Sequence, residues 1–423
     1  MNNVSAHRAF SFLRTYGYER VSCSKEERTV AEALLNECTS LGVSAQLEEF
    51  TVPCGRVSHA LLRVTSPYVK EYEVTGYERA ASTPEGGLDA EFLYVENADE
   101  VLLEQAKGKI VLVNGYLNRA TYEKLRKAEA AAILTFTGHT IDRENESDLN
   151  RCKLRETLTE PFGAIPVLNM RAASAAEIVR RGAKTVHIEL TGECYDGTSQ
   201  NVCATIPGTD KPSEVITLGG HYDSVYFSSG VHDNLSGSVI VLELLRYFAA
   251  HPPRRTLRFC WFGSEEQGLL GSKAYVKAHA DELKDCVAML NFDVAAPTLG
   301  SNHLVTLATD DALHYVTGVL REAGYGVRAK QDTYSSDCIP FADNGVPAIN
   351  LARFGANGAD YMHNRHDSLK SGYLDEHALD ITLQQGFVLL ERLANAASFP
   401  IKREITPEIR QKVDEYLFKA KKE

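Results

Sequence analysis

Apolar residues recur along this chain in two textures. One is short unbroken runs bounded by Gly, Pro or charge; the other is three-to-four spacing over ten or more residues. The first predicts buried strands and the second amphipathic helices. Ser24-Lys25-Glu26-Glu27 reads as a capping box, with Glu27 three residues after Ser24. It leads into Val30, Ala33, Leu34 and Leu35 at helical spacing, and Gly42 ends that helix. A strand over 46–52 is stopped by the Pro53-Cys54-Gly55 turn. From 58 to 191 the pattern predicts a small module, with strands over 109–113, 131–136, 165–168 and 185–190. Helices are predicted there over 121–130 and 172–181, and a polar loop over 138–160. Beyond 192 strands at 215–219, 257–262, 287–292, 304–307 and 347–351 alternate with helices at 235–250, 269–279, 312–323 and 378–397. Thr406-Pro407 opens a last amphipathic helix that runs to the chain end.

This alternation predicts an α/β fold, a mostly parallel mixed sheet sandwiched by helices, with a small α/β domain inserted into it. The expected domains are 1–57 plus 192–423, discontinuous in sequence, and 58–191. The chain has 423 residues and a net charge of −12, which argues against a general binder of phosphate backbones, so no nucleic-acid partner is expected. No run of 18 apolar residues exists, so no membrane span is expected. Residues 1–20 lack the unbroken apolar stretch of a secretory signal. Nine Cys, none at C-x-x-C spacing, suggest free thiols in a reducing cytoplasm.

Ligand sites in such sheets lie at the carboxyl ends of the strands. After the strand at 215–219 comes Gly220-His221-Tyr222-Asp223, and ten residues on stands Asp233. After Phe262 comes Gly263-Ser264-Glu265-Glu266; after Phe292 comes Asp293; after the last strand comes His363. Each alone has an ordinary explanation: a hydrogen-bonded pair, surface charge, a helix cap. Together, five segments deliver His or carboxylate to one rim, where unpaired carboxylates repel and need a cation. The charge of three ligand carboxylates and one hydroxide balances two divalent ions. Ligands of His and carboxylate without Cys suit zinc, and also cobalt or manganese. A spare carboxylate would then take a proton from the shared water.

These stretches resemble the co-catalytic dinuclear zinc exopeptidases, the family of bacterial leucyl-type aminopeptidases and glutamate carboxypeptidase. The matching motifs are residues 219–224, 230–237 and 263–268, with Asn291-Phe292-Asp293, Ser336-Asp337 and 363–368. Gly108-Lys109-Ile110-Val111-Leu112-Val113 and Ile165-Pro166-Val167 make 58–191 similar to the protease-associated domain inserted in many members. The resemblance implies that His221 and Asp293 bind one zinc, that Glu266 and His363 bind the other, and that Asp233 bridges both. It makes Glu265 the general base acting on a bridging hydroxide, and Asp223 the partner that fixes the His221 tautomer. It also implies a cis peptide after the bridging Asp, here Asp233–Asn234. Asp367-Ser368 sets the register that selects His363 over His366, which is then a surface or supporting residue. Some members place a Tyr just before the last His ligand to stabilise the oxyanion; Met362 stands there, leaving Tyr334 and Tyr361 as alternatives.

The function implied is a zinc aminopeptidase acting on peptide substrates. A carboxypeptidase, dipeptidase or amidohydrolase with the same metals would need basic groups at the pocket, for which Arg353 and Arg365 are the nearest cations, although Arg353 is expected in a structural salt bridge. An inactive scaffold of the same fold is a third reading. Side-chain preference and oligomeric state have no signature in the sequence.

Overall fold

The computed structural model describes residues 4–142 and 149–419. Contacts divide the chain into two compact units, Met1–Val52 with Thr198–Glu423, and Pro53–Gly197. Two long strands, Ser44–Ser66 and Thr185–Ile206, run through the boundaries. Pro53 was expected to end the first of these, and 190 to end the second. Extended backbone continues through both points; at Pro53 it can do so because the fixed φ of proline fits a strand and costs only one ladder bond.

In the larger unit, Lys211–His221 lies between Arg255–Phe262 and Cys286–Phe292, parallel to both. Ala348–Gly355 is parallel to Cys286–Phe292, and Gly300–Leu307 pairs antiparallel with it. Arg328–Gln331 pairs with Gly300–Leu307, and residues 202–206 pair antiparallel with Arg255–Phe262. The sheet is therefore mixed, with a parallel centre. Register places the chemistry: Phe262 pairs with His221, and Asn291 with Gly219. The residues that follow these three strands consequently emerge at one edge.

Alternate strand residues pack on opposite faces. Leu218, Phe259, Trp261 and Leu290 join one core with the helices Ala6–Tyr16, Lys25–Ser40, Ser236–Ala250 and Glu376–Asn395. Cys260, Phe262 and Met289 join another with Leu270–Ala278, Cys338–Asp343 and Pro407–Tyr416. Gly237 lets the first of the central helices meet the sheet: a Cβ there would stand 2.1 Å from the Phe292 carbonyl oxygen. Ser24 caps its helix by accepting the Glu27 N–H at 3.0 Å, and Thr406 caps Pro407–Tyr416. The rest of that last predicted helix includes residues 420–423, outside the described residues.

In the smaller unit, Leu88–Tyr94, Ile110–Leu112, Ala132–Thr137 and Val167–Arg171 form successive parallel pairs, and Val74–Gly76 adds an antiparallel edge. Apolar clusters lie on both faces. The helix Glu156–Phe162 occupies the end of what was expected to be a polar loop; residues 143–148 of that loop lie outside the described residues.

Candidate metal centre

His221 is the last residue of its strand and its side chain is 2% exposed. Its Nε2 lies 3.1 Å from Asp233 Oδ1 and 3.8 Å from Asp293 Oδ1, and its Nδ1 lies 3.3 Å from Asp223 Oδ1. On the other side, His363 Nε2 lies 2.9 Å from Asp233 Oδ2 and 3.2 Å from Glu266 Oε1. The ligand atoms of His221, Asp233 and Asp293 all fall within 4.8 Å of one another, as do those of Asp233, Glu266 and His363. Five residues far apart in sequence thus form two groups that share one carboxylate.

Local structure explains why the groups point inward. The Asp233–Asn234 peptide is cis. Asn234 donates to the Phe292 carbonyl at 2.8 Å and accepts the N–H groups of Gly237 and Val294, each at 3.0 Å. One side chain therefore ties the Asp233 loop to the strand end that presents Asp293. Asp367 accepts the N–H groups of His232 at 2.7 Å and Asp233 at 3.0 Å, one on each oxygen. Asp223 accepts the N–H of Glu265 at 3.0 Å and of Glu266 at 3.2 Å, besides facing His221. Arg20, fully buried, donates to the carbonyls of Tyr222, Ser229 and Gly230, clasping the loop between His221 and Asp233.

Sequence reasoning named Asp367 only as a register mark and missed Arg20 and Asn234. Their partners are mainly backbone groups, and no spacing rule marks those. The capping box is also only half of one: Glu27 accepts from the Cys23 N–H at 2.7 Å instead of that of Ser24. Its other oxygen reaches Ser199 Oγ and the Ser264 N–H.

Electrostatics set the demand at this rim. Burial pushes the carboxyls of Glu265 and Glu266 up and that of Asp293 up to about 8. Glu266, with Asp233, raises His363 to about 12. Burial opposes ionisation of Asp233 too, but the two imidazoles outweigh it and hold the group well below the usual range. Four carboxylates around two imidazoles are short of positive charge, and divalent cations would supply it. The donor set, two His and carboxylates with no Cys, fits zinc.

Of the two tyrosines, Tyr361 donates its hydroxyl to the Gly358 carbonyl at 2.7 Å. Tyr334 rests edge-on against Phe354, 5.7 Å between centroids. Burial raises its pKa, and the charges of Asp293, Asp233 and Glu265 add to the rise. His366 is exposed and packs on Tyr361. Arg353 donates to the carbonyls of Pro297 and Thr298 and to Asn302 Oδ1, so carbonyl and amide oxygens replace the carboxylate expected as its partner. Asp337 is fully buried, and burial pushes its carboxyl up to about 7.

Comparison with known proteins agrees with this geometry. Residues 201–384 match the model of peptidase family M28. The chain is 28% identical to aminopeptidase YwaD of Bacillus subtilis over 342 residues, which is 78% of this chain and 71% of that protein. It is 27% identical to carboxypeptidase Q of Mus musculus over 291 residues, 66% of this chain and 62% of the relative. The fold is shared with BSAP, a zinc aminopeptidase from Bacillus subtilis, at a TM-score of 0.78 and 21% identity, covering 96% of this chain and 100% of the other. Fold, motif order and sequence match converge, and residues 201–384 are similar to peptidase family M28.

Proposed function

We propose that this chain is a zinc-dependent aminopeptidase, removing N-terminal residues from peptides. The observation that carries the reading is the double use of Asp233, whose Oδ1 faces His221 at 3.1 Å and whose Oδ2 faces His363 at 2.9 Å. One carboxylate serving two ligand groups is what a closely spaced pair of ions requires. His221 and Asp293 would hold one zinc and Glu266 and His363 the other, with Asp233 common to both; cobalt or manganese suits the same donors. A zinc pair bound there supplies a Lewis acid for the scissile carbonyl and lowers the pKa of a water.

The chain's own groups do the rest. Glu265, whose Oε2 lies 3.9 Å from His221 Nε2, takes the proton of the attacking water on its carboxylate and delivers it to the departing amine nitrogen. Asp223 holds both the His221 ring and the Glu265 and Glu266 amides in place. Tyr334 donates its hydroxyl to the oxygen that gains charge. The acidic rim attracts a free substrate ammonium. A carboxypeptidase would need cations instead, and Arg353 is turned to backbone carbonyls.

We also read the unit Pro53–Gly197 as a protease-associated-like domain, supported by its short parallel sheet. The nine cysteines, none in a disulfide among the described residues, support a reducing compartment, the cytoplasm. No described helix is long and apolar enough to cross a membrane.

The test is a panel of aminoacyl-anilides beside N-blocked and acidic dipeptides, with and without chelator. Cleavage of free-amine substrates, abolished by chelation, is expected. Activity confined to N-blocked or acidic substrates overturns the aminopeptidase reading, and failure to take up zinc turns it into an inactive scaffold. Glu265→Gln is expected to lower kcat about 10³-fold with metal still bound. Near-normal turnover removes Glu265 from its role.

A further inference from the structure

The turn carrying Glu265 and Glu266 begins with a non-glycine residue in the left-handed region, Ser264, at φ +54 and ψ +32. A side chain is disfavoured there, so the conformation needs support. The support comes through three successive N–H groups. Those of Glu265 and Glu266 go to Asp223, at 3.0 and 3.2 Å. That of Ser264 goes to Glu27 Oε1 at 3.2 Å.

Glu27 is fully buried. It comes from the first turn of Lys25–Ser40, outside the segment 201–384 that matches the family. Its Oε1 also accepts from Ser199 Oγ at 2.8 Å, and its Oε2 from the Cys23 N–H at 2.7 Å. Ser22 Oγ and Ser264 Oγ lie 2.5 Å apart, a second tie between the same two segments. Gly263 makes room: a Cβ there would be 2.6 Å from Ser199 Oγ and 3.0 Å from Glu27 Oε1. A helix cap alone needs the Cys23 contact and nothing else. The second oxygen, reaching across to a strained turn in another part of the chain, serves that turn.

We infer that Glu27 is a positioning residue for the general base: by holding Ser264 in its left-handed conformation, it aims the Glu265 carboxylate at the metal centre. The inference rests on the reading of Glu265 as that base. Burial, with Asp223 nearby, pushes the Glu27 carboxyl up to about 8, so glutamine is a close neutral stand-in for it.

The experiment uses the full-length, zinc-loaded protein and three variants, Glu27→Ala, Glu27→Asp and Glu27→Gln. Readouts are kcat and KM on a leucyl-anilide, zinc content, and amide hydrogen exchange over 263–268. A misaimed base is expected to lower kcat about 10–100-fold in Glu27→Ala, with KM and zinc content little changed. Exchange over 263–268 should accelerate roughly tenfold or more, because a lost hydrogen bond frees the turn. Glu27→Asp keeps a cap acceptor but is one methylene too short for Ser264, so it should behave like Ala. Glu27→Gln can keep its one carbonyl oxygen on the Ser264 N–H while its amide nitrogen replaces the acceptor at Cys23, so it gives up the cap contact alone and should restore kcat to within about threefold of wild type.

Exchange over 263–268 unchanged in both Ala and Asp variants overturns the inference. So does faster exchange with wild-type kcat, which would leave Glu27 a loop support without bearing on the base. If the wild-type protein hydrolyses no free-amine substrate, the aminopeptidase reading fails by itself, and the exchange measurement still decides whether Glu27 holds the turn.

Discussion

His221 and His363 approach the same carboxylate from opposite sides, yet their surroundings differ. The His221 side chain is 2% exposed, at a strand end, with its carbonyl accepting from Ser238 Oγ and its ring facing Asp223. The His363 side chain is 53% exposed. It lies in a loop after the strand Ala348–Gly355, and its own φ is +61. One half of the centre is thus built on sheet register and buried hydrogen bonds, the other on a loop. Sites on sheet elements hold geometry more tightly than sites on loops. The enclosed half should therefore bind metal more tightly, and the open half should adapt to substrate.

The largest expected effect comes from removing what the halves share. Asp233→Ala should abolish metal-dependent hydrolysis and strip both ions, measured as zinc per chain after desalting. Retention of one full equivalent would mean that the halves are independent, and the comparison would lose its basis. Next come the halves singly. His363→Ala should keep about one zinc per chain, whereas His221→Ala should keep less, since it removes the more preorganised ligand. Equal metal loss in the two would erase the proposed difference. Both should lower kcat by at least about 10²-fold, because the removed imidazole leaves a ligand group incomplete.

The smallest effect concerns the support of the turn that carries Glu265 and Glu266. The Glu27 carboxyl is raised in the folded protein to about 8 from an ordinary value of 4.5. Between those values the native chain keeps a proton that the unfolded chain has released. The stability it contributes is complete below about pH 4.5 and is lost as pH rises toward 8, by at most about 1.4 kcal/mol per pH unit. Glu27→Gln removes that slope. Urea unfolding of metal-free protein at several pH values should show the wild type losing stability relative to the variant between pH 5 and 8. Parallel pH curves would remove Glu27 as a buried acid.

The meeting of the metal-centre side chains at one edge was readable because most of them follow the end of a predicted strand, and parallel strands bring such ends together. His221, Glu265 and Asp293 are examples. Arg20 and Asn234 were not readable. Their work is done on carbonyls and N–H groups, and which of these lie near is decided by tertiary packing. Glu27 was half-legible: its spacing from Ser24 identified a cap, but nothing local marks a partner at 264. In the fold, short apolar runs such as Ile110-Val111-Leu112-Val113 identified their strands. Arg328–Gln331 did not, because an edge strand reading Arg-Ala-Lys-Gln carries too little apolar signal. Tyr334 and Tyr361 could be separated only once the hydroxyl of Tyr361 was found committed to Gly358.

The larger unit is assembled from both ends of the chain, Met1–Val52 and Thr198–Glu423, with Pro53–Gly197 between them. On the ribosome, Arg20 and Glu27 therefore emerge long before Gly230 and Ser264, the partners they will need. At about 5–20 residues per second this leaves the first helices waiting roughly 10–50 s with polar groups that only later sequence can satisfy. Residues such as Arg20 and Glu27 thus need protection during translation until the far segment is made, and the intervening unit has time to fold before its host is complete.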